Sequence, residues 1–210
     1  MGITDRDWFD SMRSQGEKAK NMNSWIFQAN PQVFMIDWFL DEYASNNPND
    51  KDWWIIHKKH QGFITPYEDE VYIWKAASEP SKREFNDYFK WKESIGRSGK
   101  SSGIFAKGEI ISYPEPFFET NDEREKFKKY RAVDSYSFSF SKNIMVKCVY
   151  KNSENIRVRK PLLKDTILLE INKDSDTELG SFLRSPRKRY SIKLTPYEAE
   201  IIRSLFTARQ

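Results

Sequence analysis

A single cysteine, two histidines and no apolar run approaching the ~20 residues that span a bilayer set the first limits on this 210-residue chain. One thiol, Cys148, excludes an internal disulfide and any multi-cysteine zinc site. Its neighbours are apolar, which suits a buried thiol and not a nucleophile. No charged-then-apolar leader opens the chain, and a cytoplasmic protein without a membrane partner is expected. Chemistry-bearing motifs are also missing. "GRSGKSSG" (Gly96 to Gly103) lacks phosphate-loop spacing and does not follow a strand. Glu170 to Lys173 is one residue too long for an E-x-K nuclease pair, and no glycine-flanked serine elbow occurs. His57 and His60, on a strand, would face opposite ways with no third ligand in reach, so neither a metal nor a cofactor is expected. There are no internal repeats.

What is present is aromatic. Fifteen per cent of the chain is Phe, Trp or Tyr, with seven tryptophans, against 38% hydrophobic and 31% charged residues. That balance predicts a globular domain able to bury a core. The net charge of +4 is unevenly spread: residues 1–120 carry 15 Lys and Arg against 19 Asp and Glu, and residues 121–210 carry 20 against 12. A polyanionic partner is permitted, and the C-terminal half is where its contacts are expected.

Along the chain, residues 1–23 read as a polar leader. "SWIFQAN" (Ser24 to Asn30) reads as a strand. Val33, Ile36, Leu40 and Tyr43 then recur at helical spacing, with Asn30 at the N-cap and Pro31 first in the helix. "DWWIIHKK" and "EDEVYIWK" are β-branched and aromatic, hence strands. Ala76 to Ser101 interrupts with a helical possibility in "REFNDYFKWKESI". "GIFAKGEIIS" (Gly103 to Ser112), "YSFSFS" and "NIMVKCVY" read as strands, "KPLLKDTILLEI" as mixed, and "GSFLRSPRKRYSIKL" as a strand on either side of a basic loop. "TPYEAEIIRSLF" closes with a helix, Thr195 as its N-cap and Glu198 in the capping-box position. About six strands with short helices predict an α+β protein built on a small β-barrel.

"WIFQANP" before a helix, the Trp-led basic strand, "DEVYIW", "GIFAKGEIISYPEP" and the ending "FLRSP…YSIKLTPYEAEII" resemble, in that order, the EVE domain of the PUA-like superfamily. The closest flavour is the EVE module of modification-dependent restriction systems, and relatives include YTH and SRA-like readers of methylated bases. The match runs from about Trp25 to Leu205. It implies a domain over residues 24–210, with an insertion at about 76–102 where the family has a short turn. It also implies a PUA-like curved barrel that takes a flipped, modified base into an aromatic pocket. The expected function is a reader of DNA containing methyl- or hydroxymethyl-cytosine, not an enzyme, serving restriction or phage defence. Its expected partners are modified double-stranded DNA and a nuclease or AAA-type motor, as a domain or a subunit. The alternatives are an RNA-binding PUA-like module and a small enzyme or ligand-binding barrel.

The pocket is expected to comprise Trp74, Trp54, Trp53, Gln28, Asn30 and Lys75. Stacking on an aromatic wall, worth roughly 1–3 kcal/mol per base, would offset unstacking; the competing role for the tryptophans is core packing. Asn30 either reads a base edge or caps the helix. Backbone phosphates are assigned to Arg187, Lys188 and Arg189 on a projecting basic loop with Arg184 at its flank, to Lys58 and Lys59 at a strand end that is otherwise plain surface, and to Lys100. Phe85, Tyr88, Phe89 and Trp91, interleaved with lysines and arginines, either line a nucleic-acid strand or pack a helix onto the barrel.

Overall fold

The computed structural model describes residues 22–47, 50–97, 100–132, 144–151, 161–171, 176–185 and 191–208. The leader up to residue 21, "YSFSFS", Arg157 to Lys160 and the Arg187–Arg189 loop lie outside the described residues.

The strands are β1 (Ser24–Ala29), β2 (Lys51–Ile55), β3 (Glu70–Lys75), β4 (Gly103–Ile110), β5 (Glu115–Pro116), β6 (Ile144–Lys151), β7 (Leu162–Leu163) and β8 (Ser191–Lys193). The helices are α1 (Ile36–Phe39, widening into a π-helical turn over Leu40–Ala44), α2 (Asn86–Ser94), α3 (Asn121–Lys128), α4 (Lys164–Glu170), α5 (Glu178–Arg184) and α6 (Pro196–Thr207). The strands form one sheet in the order β2-β6-β4-β3-β1-β8, with β5 beside β6 and β7 beside β4. β1 and β3 run parallel, and the other pairings are antiparallel. The sheet curls until its two edges meet: the His57 N–H, just past β2, donates to Ser191 Oγ on β8 at 2.9 Å. The expected α+β class, six main strands with short helices, is the one found.

Alternation along each strand divides the core in two. Trp25, Phe27 and Ala29 of β1 join Val71 and Ile73 of β3, packed under α1, α2 and Tyr130. Ile26, Tyr72 and Trp74 face the other way, against α4, α5 and α6. Gly103 opens β4 because a Cβ there would stand 2.2 Å from the Leu162 carbonyl oxygen of β7.

Two local expectations are corrected. The first helix starts at Ile36, not Pro31. Asn30 instead closes a turn, its carbonyl accepting the Val33 and Phe34 N–H groups, while Val33 and Met35 pair with Ala132 and Tyr130. Backbone committed to that pairing cannot enter the helix. "SFLR" is helical, not a strand: Thr177 Oγ1 accepts the Gly180 N–H, and Leu179, Phe182 and Leu183 share one buried face. The closing helix has the expected Thr195–Glu198 capping box with Pro196 first.

Candidate functional site

The three tryptophans of the two Trp-bearing strands go to three different places, because adjacent strand residues point to opposite faces. Trp54 is buried in the first core, 6.0 Å from the Phe27 ring, and its Nε1–H donates to Tyr150 Oη at 3.2 Å. Trp53 turns outward, its Nε1–H on Glu123, its ring 5.1 Å from Phe117 and 4.4 Å below Lys147 Nζ. Trp74 is 1% exposed and meets Phe182 of α5 edge-on at 5.1 Å. These side chains cannot form one pocket: Trp54 and Trp74 pack in separate cores, the buried Trp74 Nε1–H without a hydrogen-bond partner. Gln28 is half-buried and registers with Trp74.

Asn30 and Lys75 lie at the same end of two paired strands but make no contact with each other. In the parallel pair, Ala29 registers with Lys75, and the Ala76 N–H continues the pairing to the Ala29 carbonyl. The C-terminal ends of β1 and β3 therefore lie side by side. Asn30 is exposed there; its Oδ1 accepts from Gln32 N–H at 3.0 Å and from Ser78 Oγ at 2.5 Å. Lys75 shares the face of Val71 and Ile73, is 0% exposed, and points Nζ at Asp37 Oδ2 (3.3 Å) and the Ser101 carbonyl (3.3 Å). The Phe105 ring lies 5.4 Å from that Nζ and 5.5 Å from the Arg97 guanidinium.

The inserted α2 roofs this end. Tyr88 Oη–H donates to Asp37 Oδ2 at 3.1 Å, and Trp91 Nε1–H donates to Asp41 Oδ2 at 2.6 Å. Their rings stack on each other at 5.7 Å and lean on Trp38 at 6.1 and 6.4 Å. Lys92 pairs with Glu79 beside them. Of the two roles open to the insertion aromatics, packing a helix onto the barrel is the one seen. Burial pulls the Lys75 ammonium below its ordinary pKa, with Asp37 resisting; burial likewise lowers Arg97 and raises Tyr88. Acceptors, donors and flat aromatic rings are thus packed together here in a low-dielectric cluster, where each hydrogen bond is strengthened.

Asp37 and Asp41 were absent from the sequence-derived site. Their signal was legible: Asp37 and Asp41 are carboxylates at i and i+4 in a largely apolar segment, hence on one helix face, with Glu42 turned off it.

The expected phosphate-binding cations are scattered. Lys100 is exposed beside Ser101, close to that cluster. Lys58 and Lys59 are exposed on a 3₁₀ turn (Lys58–Phe63) at the seam between β2 and β8, where Lys59 pairs with Glu178. His60, buried below, places Nδ1 3.0 Å from Ser191 Oγ and Nε2 3.0 Å from Glu178, so it fastens the seam. Arg184 is exposed at the end of α5. Among the described residues no three His, Cys, Asp or Glu gather to hold a metal, and no helix is long and apolar enough to cross a membrane. Cys148 is buried; burial, with Asp52 adding to it, pushes its thiol pKa well up, away from the thiolate.

No protein-family model matches the sequence, and no curated protein does. Some solved structures are similar to this chain. The human THYN1 protein, solved in complex with 5-methylcytosine-containing DNA, is 14% identical over 87% of this chain and 96% of its own, with a TM-score of 0.46. The DUF55 domain of human thymocyte nuclear protein 1 is 14% identical over 88% of this chain and 98% of its own, TM-score 0.46. A hypothetical protein from Leishmania major is 12% identical over 91% of this chain and 99% of its own, TM-score 0.48.

Proposed function

We propose that this chain is an EVE-type, PUA-like reader of DNA carrying methyl- or hydroxymethyl-cytosine, without catalytic activity of its own. The observation that carries the reading is the cluster at the C-terminal ends of β1 and β3. There Lys75 pairs with Asp37 beside Tyr88, Trp91 and Phe105, and Asn30 stands exposed at the same strand ends, held by Ser78. Two of the sequence blocks that resemble the family, "WIFQANP" and "DEVYIW", are the two parallel strands that make it.

A base cannot be read on its Watson–Crick edge inside a duplex, so a reader extrudes it and meets the unstacking cost with stacking and hydrogen bonds. Here Lys75 would donate to the base, Asp37 would accept, and Asn30 at the rim would contact the exposed edge. Lys100 lies near enough to neutralise a flanking phosphate. Lys58, Lys59, Arg184 and the Arg187–Arg189 loop would hold the flanking backbone, sequence-independently. Recognition without cleavage suits the recognition module of a cytoplasmic restriction or phage-defence system, in which a nuclease or AAA-type motor acts on the marked DNA.

The test is fluorescence anisotropy with four oligonucleotides at two salt concentrations: unmodified, 5-methylcytosine and 5-hydroxymethylcytosine duplexes, and RNA. A preference for a modified duplex is expected, and Asn30→Ala should reduce it about two- to ten-fold, one hydrogen bond's worth. Tighter binding to RNA, or magnesium-dependent nicking by the pure protein, would overturn the proposal.

A further inference from the structure

The insertion helix supplies this cluster with groups that imitate a ligand. Beneath α2 lie Asp37 and Asp41, neighbours on one helix face, with Lys75 Nζ against the first. Beside them is Trp38, 5% exposed, whose Nε1–H is buried with no hydrogen-bond partner. A buried donor left unmade costs stability that an arriving acceptor would return. With Tyr88 and Trp91 withdrawn, two carboxylate acceptors and two donors remain beside the Trp38 ring, a set that complements a heterocycle with an exocyclic amine beside ring acceptors. Cytosine has that edge: its N4 amine donates, and N3 and O2 accept.

Tyr88 and Trp91 present an O–H and an N–H to the same two carboxylates, on the rim of a flat aromatic ring. Their helix is short and one-sided, and its buried residues are Tyr88, Trp91 and Lys92 alone. It has nine residues, and Asn86, Asp87, Lys90, Glu93 and Ser94 face solvent. A helix this short is marginal without tertiary packing. It ends at Gly96, whose φ of +68° permits a sharp reversal.

We propose that α2 is a displaceable cover: Tyr88 and Trp91 hold Asp37 and Asp41 until the exocyclic amine of an extruded cytosine-type base takes those carboxylates, with Trp38 Nε1 and Lys75 Nζ donating to its ring acceptors. The inference rests on the reader function and names the residues that read the base. Because base and cover compete, apparent affinity is reduced by the fraction of molecules with α2 displaced.

Trp91→Phe keeps a ring against Tyr88 and Trp38 and removes the donor to Asp41. Weakening a charge-assisted bond that exists only in the covered state should tighten binding to a 5-methylcytosine duplex about ten-fold. Hydrogen exchange of the amides of residues 86–94 should quicken when that duplex is added to the wild-type protein. Tyr88→Phe, which deletes one hydroxyl, repeats the test should Trp91→Phe melt too early. Unchanged or weaker binding with preference for the modified base intact makes α2 a fixed wall and overturns the cover alone. No preference in wild type or variants overturns the reader function, and the cover with it.

Discussion

Asp52→Asn should stabilise the protein at neutral pH, and the gain should vanish in acid. Asp52 is 7% exposed, on β2 facing Cys148 across the β2–β6 pair. Burial raises its carboxyl pKa, against the hydrogen bonds from Tyr150 Oη–H and Trp53 N–H and the attraction of Lys126, to about 6. The unfolded chain releases that proton near pH ~3.9. Between ~3.9 and about 6 the unfolded state loses a proton that the folded state keeps, so stability falls as pH rises through this window. At 1.36 kcal/mol per pH unit the cost at pH 7 is ~3 kcal/mol. An asparagine amide retains an acceptor for Trp53 N–H and pairs with the Tyr150 hydroxyl without carrying charge. Urea melts of both proteins from pH 3.5 to 7.5 would isolate this group, since all other titrations cancel in the difference. The variant should lead by ~3 kcal/mol at pH 7 and by little at pH 3.5. A difference that stays flat across the range would refute the reasoning.

Trp74→Ala should cost ~3–5 kcal/mol by opening a cavity against Phe182, while Trp53→Ala, at the half-buried outer face, should cost clearly less; circular dichroism melts of both would show it. Replacing Arg187, Lys188 and Arg189 by Ala should weaken binding to all duplexes alike, each lost phosphate contact flattening the log K against log salt slope by ~0.9. An unchanged slope would move the backbone contacts elsewhere, Lys100 first. Burial alone would raise the Glu178 carboxyl, but Lys59, the Lys193 N–H and His60 bring it down to about 2. Its stabilising effect should therefore be fully present above the usual carboxylate range and fade as pH falls toward 2. Glu178→Gln should narrow the stability gap to wild type over that interval in acid unfolding curves.

Local chemistry was enough to place several parts of this protein. The Thr195–Pro196–Glu198 box fixed a helix start because all its partners lie within one turn. The β-branched and aromatic runs fixed β1, β2, β3 and β4, and alternation fixed that Trp53 and Trp54 must part. It also implied that Trp74 and Lys75 take opposite faces, although both had been assigned to one pocket. What alternation could not supply was which face holds the site, since that depends on the helices packed against it. The parallel register of β1 with β3 joins segments 46 residues apart. It brings Ala29 opposite Lys75 and Asn30 to Ser78, and no spacing along the chain encodes it. The late start of α1 followed from backbone pairing with residues 130–132, and the roof over Asp37 and Asp41 followed from an insertion about 50 residues downstream. The sequence by itself determined the residue types and the strands that carry them; tertiary structure alone decided which of them share a space, because burial and hydrogen bonding between distant segments set the neighbours of a side chain.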